Sequence, residues 1–207
     1  MRKHAFTICF MVGVTFVYIS IISGIHLLTA ETVARNKLLF QQRAVLTALG
    51  IELPGSPVEL VELYERLVEE EPAPDGTIAY FRVRLPDRPE ADPEYALVVR
   101  EYGPGLWGTI TALVGFEPDG KRYRGVVFLD HNETPGLGAR IDEPWFRGQF
   151  AGSEGPYTQL GGEPQDKGQA GSRPGTIDQI TGATASSRAV MEIMNKSAAR
   201  VSAFVGD

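Results

Sequence analysis

Residues 109–130 read TITALVGF-EPDGKR-YRGVVFLD, two runs of β-branched and aromatic residues around a turn. Thr109 to Phe116 and Tyr123 to Asp130 have strand length and carry side chains that pack well on a pleated, half-buried surface. Between them Pro118-Asp119-Gly120 supplies turn chemistry, since Pro pre-sets φ, Asp bonds its own backbone and Gly tolerates positive φ. An antiparallel hairpin follows, and with it a sheet that needs no crossover helices. Upstream, Tyr95 to Tyr102 and Thr77 to Leu85 carry the same signature and predict two further strands.

Farther upstream the period becomes helical. Ser56-Pro57-Val58-Glu59 has the form of a capping box with Pro at the first helical position, ahead of Leu60, Val61, Tyr64, Leu67 and Val68. In the same region Glu52, Glu59, Glu62, Glu65, Glu69, Glu70, Glu71 and Asp75 are opposed only by Arg66. That balance predicts a solvated helix face in preference to a docking surface for a basic partner. Leu38, Gln42, Val45, Leu46 and Leu49 keep helical spacing and Gly50 stands as a terminator, which predicts a stalk helix.

The stalk follows a segment, Ala5 to Ala30, without Asp, Glu, Lys or Arg. As a helix it exceeds the roughly 30 Å hydrocarbon core of a bilayer. It reads as a retained transmembrane anchor, because its apolar stretch is too long for a cleaved signal peptide. Arg2 and Lys3 lie on one side and Arg35, Lys37 and Arg43 on the other, so charge alone does not orient it. A short N-terminal tail before a large domain fits a domain on the outer face of the cytoplasmic membrane.

Downstream of the hairpin, Glu143 to Phe150 predicts a short helix with Trp145, Phe146, Gln149 and Phe150 turned inward. The glycine-rich run from Gly152 to Gly175 predicts a mobile loop. A final helix is expected from about Ser187, with Val190, Ile193, Met194, Val201, Phe204 and Val205 on one stripe. The fold class is α+β: an anchor over residues 1–30, a stalk and acidic helix over 31–75, and a twisted, largely antiparallel sheet packed with helices over 76–207.

Composition narrows the chemistry. The chain has 207 residues and a net charge of -6, a balance that argues against a nucleic-acid partner. Its single cysteine, Cys9, makes neither an internal disulfide nor a metal cluster, so no metal site is expected and redox chemistry would need an organic cofactor. No residue is assigned as catalytic, since His131 has no Ser or Cys nucleophile near it in sequence.

Two stretches carry the candidate site. His131-Asn132-Glu133-Thr134-Pro135-Gly136-Leu137-Gly138 follows a strand and sets a carboxylate, a hydroxyl and two glycines around one apolar residue. Small glycines let backbone approach a planar ligand while Leu137 lies on its face; a structural turn is the equal alternative. Asp178-Gln179-Ile180-Thr181-Gly182-Ala183-Thr184-Ala185-Ser186-Ser187 runs into the last helix. Hydroxyls and unpaired amides at a helix N-terminus suit a phosphate, and simple capping by Ser or Thr is the competing reading. Neither a Walker lysine nor a G-x-G-x-x-G accompanies the run.

Asp178-x-x-Thr181-Gly182-Ala183-Thr184 resembles the flavinylation motif of the FMN-binding domain family. Residues 131–138 are similar to the second signature of two of its branches, the C subunits of the Na+-translocating NADH:quinone reductase and the G subunits of the Rnf complex. Gly105-Leu106-Trp107 and Asp142-Glu143-Pro144-Trp145 look like the first branch, Arg188-Ala189-Val190 after the Asp178–Thr184 motif and the short length like the second, and the resemblance is read in favour of the first. The resemblance implies a membrane-anchored electron-transfer subunit of an ion-translocating oxidoreductase, not catalytic alone. Its partners would be the integral-membrane and redox subunits of the complex, the bilayer and a flavin transferase for maturation.

It also implies FMN attached through its phosphate to Thr184. Thr181, Ser186 and Ser187 would donate to the phosphate, with Gly182 and Ala183 lining the turn and Asp178 marking the motif for the transferase. Leu137 and Trp107 would flank the ring, with Trp107 equally readable as core and Leu106 a further cofactor-binding residue, and Glu133 and Thr134 would bond its polar edge or ribityl chain beside Gly136 and Gly138. The alternatives are a stand-alone FMN-binding membrane protein and a flavin-free tethered binding module.

Overall fold

The computed structural model describes residues 2–72, 78–86, 94–171 and 173–205. It divides into two compact units, Met1–Phe40 and Gln41–Asp207. Helix α1, Arg2–Ala48, runs unbroken from the first into the second. From Phe6 onward it is long and apolar enough to cross a membrane. Phe10, Phe16, Ile22 and Leu28 point outward with no protein against them, as lipid-facing side chains do. The compact units part at residue 40, whereas the sequence reading draws its boundaries at 30 and 75. The last turns of α1 are built into the domain through the buried Val45, Leu46, Ala48 and Leu49.

Helix α1 ends as its sequence predicts. Gly50 has φ +69°, its N–H bonds Thr47 O at 3.0 Å, and Ile51 N–H reaches back to Leu46 O at 3.1 Å, so glycine closes the last turn in a Schellman arrangement. Helix α2, Pro57–Leu67, starts on Ser56, whose side chain accepts from Val58 N–H, and buries Leu60, Tyr64 and Leu67. The expected helical acidic face stops there. Residues Val68–Pro72 form an edge strand, β1, paired with β2, Ile78–Arg84. Strand alternation sends Glu69 and Glu71 to Arg82, each 3.7 Å away, and Glu70 to the Tyr64 hydroxyl at 2.8 Å. A charged edge of this kind discourages pairing with another chain. Asp75 and Thr77 lie outside the described residues.

Strands β3 (Tyr95–Pro104), β4 (Thr109–Phe116) and β5 (Tyr123–Asp130) complete an antiparallel sheet in the order β1-β2-β3-β4-β5. Its two faces carry different packings. Val99, Val114, Phe116, Tyr123, Val126 and Phe128 join the core formed with helix α3, Pro144–Gly148, and helix α4, Thr184–Val205. On the other face, a Cβ at Gly115 would strike Ala48 O and come within 2.9 Å of Leu49 Cδ2, so glycine there seats the end of α1.

Helix α3 is shorter than expected and follows a 3-10 turn at Gly138–Asp142. Phe146, Gln149 and Phe150 are buried and Trp145 is half-buried. Helix α4 begins at Thr184, three residues before the predicted start, and Val205 is exposed.

The predicted mobile loop instead holds regular structure. Strand β6, Gln159–Gly161, pairs in parallel with β7, Thr176–Asp178, and a 3-10 turn follows at Lys167–Gln169. The buried Tyr157 ring stacks on Tyr123 with centroids 5.8 Å apart. Some of the glycines here stand where backbone comes close to other groups. A Cβ at Gly155 would lie 2.8 Å from the Tyr123 hydroxyl, and one at Gly171, where φ is +75°, would lie 2.6 Å from Gln149 O.

Candidate functional site

Three loops meet at the N-terminus of α4. The tight β3–β4 turn, closed by Gly105 N–H to Gly108 O at 2.8 Å, carries Leu106 and Trp107 at its tip. The loop after β5 carries the first motif, with Thr134 O accepting from Leu137 and Ala139 N–H, both at 3.1 Å, and Gly136 at φ +76°. The loop after β7 carries the second, turning at Gly182, φ +78°, into Thr184.

Glu133 ties these loops together from the inside. Its buried Oε1 accepts from Leu106 N–H at 2.8 Å and Trp107 N–H at 3.2 Å, while Oε2 accepts a short bond from the buried Ser186 hydroxyl. Two glycines make room for the carboxylate. A Cβ on Gly105 would collide with Oε1, and one on Gly138 would collide with Oε2 and come 2.5 Å from Ser186 Oγ. The sequence reading put Glu133 on a ligand; the structure commits both its oxygens to the protein.

The second motif is arranged around backbone. Ala183 O accepts the first helical bond of α4, from Ser187 N–H at 3.0 Å, so Ala183 is the N-cap and has no side chain with which to bond the first-turn amides. Simple side-chain capping is therefore not the role of this run. Ser187, fully buried, donates to Ala183 O and accepts from Ile180 N–H, and Ser186 is held by Glu133. The two serine hydroxyls expected at a phosphate are thus spent on the turn itself. Thr184 is exposed, as are Thr181, Gly182, Thr134 and Gly136.

Apolar side chains on two of these loops form an exposed ridge. Leu137 packs over the turn, its Cδ2 lying 3.2 Å from where a Gly182 Cβ would be. Leu106, Trp107 and Leu137 are 58%, 65% and 46% exposed. Trp107 is therefore not core, and the site is an open surface.

A charged cluster flanks the other side of the turn, and sequence reasoning missed it. Arg140 bonds Glu143 at 3.0 Å and Glu163 at 2.7 Å, Lys167 stands 3.5 Å from Glu143, and the Trp145 indole N–H also donates to Glu143. Glu163 in turn accepts from Thr181 N–H at 2.8 Å. The Arg140 guanidinium, seconded by the Thr181 N–H, pulls the Glu163 carboxyl down to about 2, and Arg140 likewise holds Glu143 below its usual range. Asp178, also buried, accepts from Arg173 and from Gly171 N–H at 2.9 Å, while Gln149 brackets its backbone. Arg140–Glu143 and Glu163–Lys167 have i,i+3 and i,i+4 spacing, whereas the contact of Glu163 with Thr181 depends on the parallel β6–β7 pairing, which the glycine content concealed.

Fold and site together define an anchored α+β domain that gathers two glycine-turn motifs around an exposed threonine on a helix N-terminus. The sequence model of the FMN-binding domain matches residues 105–199. The G subunit of an ion-translocating oxidoreductase complex from Pectobacterium atrosepticum is 30% identical over 201 residues, 96% of this chain and 88% of that protein. The C subunit of the Na+-translocating NADH-quinone reductase from Yersinia pestis is 40% identical over 98 residues, 45% of this chain. That match spans only 36% of the relative's own length. A crystal structure of the corresponding reductase polypeptide from Parabacteroides distasonis superposes with a TM-score of 0.60 at 21% identity, covering 84% of this chain and 94% of that one. The chain belongs to the FMN-binding domain family.

Two outcomes follow from the geometry. Glu133→Ala strands the Ser186 hydroxyl and two amides and should destabilise the domain by roughly 1–3 kcal/mol, whereas Glu133→Gln, which keeps an acceptor, should cost less. Chemical unfolding of the detergent-solubilised chain measures both. Because the folded Glu163 carboxyl lies near 2, below its ordinary 4.5, its stabilising contribution is complete above about 4.5 and is lost as pH falls toward 2. Glu163→Gln should flatten that part of the stability profile.

Proposed function

We propose that this chain is a membrane-anchored electron-transfer subunit that bears FMN esterified through its phosphate to Thr184, within an ion-translocating oxidoreductase complex. One observation carries the reading: Thr184 is an exposed hydroxyl on the first residue of α4, after a positive-φ glycine and an N-cap alanine whose side chain offers the first-turn amides no acceptor. Those amides and the helix dipole suit a phosphate. Attachment by a flavin transferase forms one Oγ–P bond, releases the leaving group of an activated flavin donor and passes the hydroxyl proton to solvent.

The residues at hand fit the group. Leu137, Leu106 and Trp107 offer an apolar flank for a planar ring, and Thr134 and the backbone about Gly136 offer polar contacts at its edge. Glu133 and Gly138 act one step back, holding the Leu106-Trp107 turn against the helix. Gly182 and Ala183 shape the turn, and Asp178, at the end of β7, is held by Arg173 and Gly171 N–H. Bound FMN would supply one- and two-electron redox chemistry; the chain supplies position and environment.

The G-type assembly is the favoured setting, because the sequence match to that relative runs nearly end to end, over 96% of this chain, while the sequence match to the C-type relative from Yersinia pestis covers 45% of it. Identifying the proteins that co-purify with this chain decides between the two. The domain is assigned to the outer face of the cytoplasmic membrane, as the family resemblance implies.

Thr184→Val keeps the shape and removes the attacking oxygen. Intact-mass measurement after coexpression with the transferase should find wild type heavier by FMN less water and the variant unmodified; flavin still attached to the variant would end the assignment. Protease added to intact spheroplasts should digest the domain, and protection there with digestion in inverted vesicles would reverse the topology.

A further inference from the structure

We infer that Glu163 is a positioning residue for flavin attachment, a latch that holds Thr181 and so fixes the turn presenting Thr184. The inference rests on the Thr184 reading above.

Parallel pairing brings the two ends of the latch together. Strands β6 and β7 run side by side in the register Gly161↔Asp178, so the chain two residues past β6 travels next to the chain three residues past β7. Glu163 there accepts from Thr181 N–H at 2.8 Å. Thr181 is exposed and Gly182 is at φ +78°, a conformation glycine leaves as readily as it enters. Leu137 also lies over the turn, its Cδ2 3.2 Å from where a Gly182 Cβ would be.

A bare carboxylate beside an incoming phosphate would repel it, and the cluster removes that penalty. Arg140 grips Glu163 with two bonds, at 2.7 and 3.2 Å, and Glu143 with two more, at 3.0 and 3.3 Å. Lys167 lies 3.5 Å from Glu143 and 3.9 Å from Glu163. Two cations thus balance two carboxylates, and the Glu163 side chain is only 17% exposed. The latch holds the turn through hydrogen bonds while presenting little net charge to the site.

The test uses the full-length chain, purified without flavin in detergent and incubated with the transferase and FAD, whose AMP portion serves as the leaving group. Intact mass gives the rate of FMN attachment, and hydrogen exchange on the flavin-free chain reports the Thr181 amide. Glu163→Ala should slow attachment about tenfold, as expected when a reacting group is loosened by a fraction of an ångström. Its Thr181 amide should exchange faster by a similar factor. Glu163→Gln retains an acceptor for Thr181 N–H and should recover most of the rate, a rescue that a purely structural ion pair would not show. Arg140→Gln frees Glu163 and exposes its charge, so it should slow attachment as well; this variant decides the matter if Glu163→Ala does not fold.

Attachment at the wild-type rate in Glu163→Ala, or in Arg140→Gln where that variant decides, overturns the inference. So does a Glu163→Gln variant as slow as Glu163→Ala. Wild type that gains no FMN, or gains it elsewhere than Thr184, is instead a failure of the Thr184 reading; the latch then stands or falls on whether Thr181 exchange rises in Glu163→Ala.

Discussion

A carboxylate taken out of water loses several kcal/mol of hydration, and the loss is tolerable only where hydrogen bonds replace it. At Glu133 they come from two backbone amides at the tip of the β3–β4 turn and from one serine hydroxyl in the first turn of α4. The need to satisfy both oxygens therefore fixes where Leu106 and Trp107 stand relative to Thr184. Were this carboxylate missing, the bonds that join the β3–β4 turn and the first turn of α4 to the loop after β5 would be lost.

Absent side chains matter as much as present ones in this arrangement. Gly105 and Gly138 flank the Glu133 carboxylate where any Cβ would overlap it, and Gly103 lets α4 approach the sheet, since a Cβ there would stand 2.7 Å from Ile193 Cγ1. Close approach of this kind sets the helix N-terminus near the turn, and only glycine permits it. Bonds that are satisfied inside the protein leave the exposed surface to Thr184, the first-turn amides and the apolar ridge. That division of labour, buried carboxylate within and open apolar flank without, is what a surface-held planar cofactor requires of a small domain.

Electrostatics are local. The acidic balance of residues 52–75 resolves partly into an edge strand whose glutamates find Arg82 and the Tyr64 hydroxyl, which serves the sheet edge and lies on elements separate from the site. The charges next to the site are the neutral-sum cluster of Arg140, Glu143, Glu163 and Lys167. A phosphate at α4 would therefore be met chiefly by backbone dipoles, which need no counter-charge and do not titrate.

Sequence alone determined the elements whose signal is local. Side-chain alternation with a Pro-Asp-Gly turn marks the β4–β5 hairpin, Ser56 and Pro57 mark the start of α2, Gly50 marks the end of α1, and an uninterrupted apolar run marks the anchor. The two motifs were legible for the same reason, since glycines and hydroxyls at a turn announce themselves by type. What each motif residue touches was not legible, because partners lie far along the chain: Glu133 with Ser186 at a separation of 53 residues, Asp178 with Gln149 at 29 and Glu163 with Thr181 at 18. Glycine density suggested mobility over residues 152–175, whereas Gly155, Gly161 and Gly171 mark close contacts that only the packed structure reveals. Tertiary structure thus decided that Glu133, Ser186 and Ser187 serve the scaffold, that Trp107 is exposed and that Thr184 begins the helix. The physical reason is that hydrogen-bond satisfaction is a property of the assembled interior, while hydrophobic period and turn chemistry are properties of a few consecutive residues.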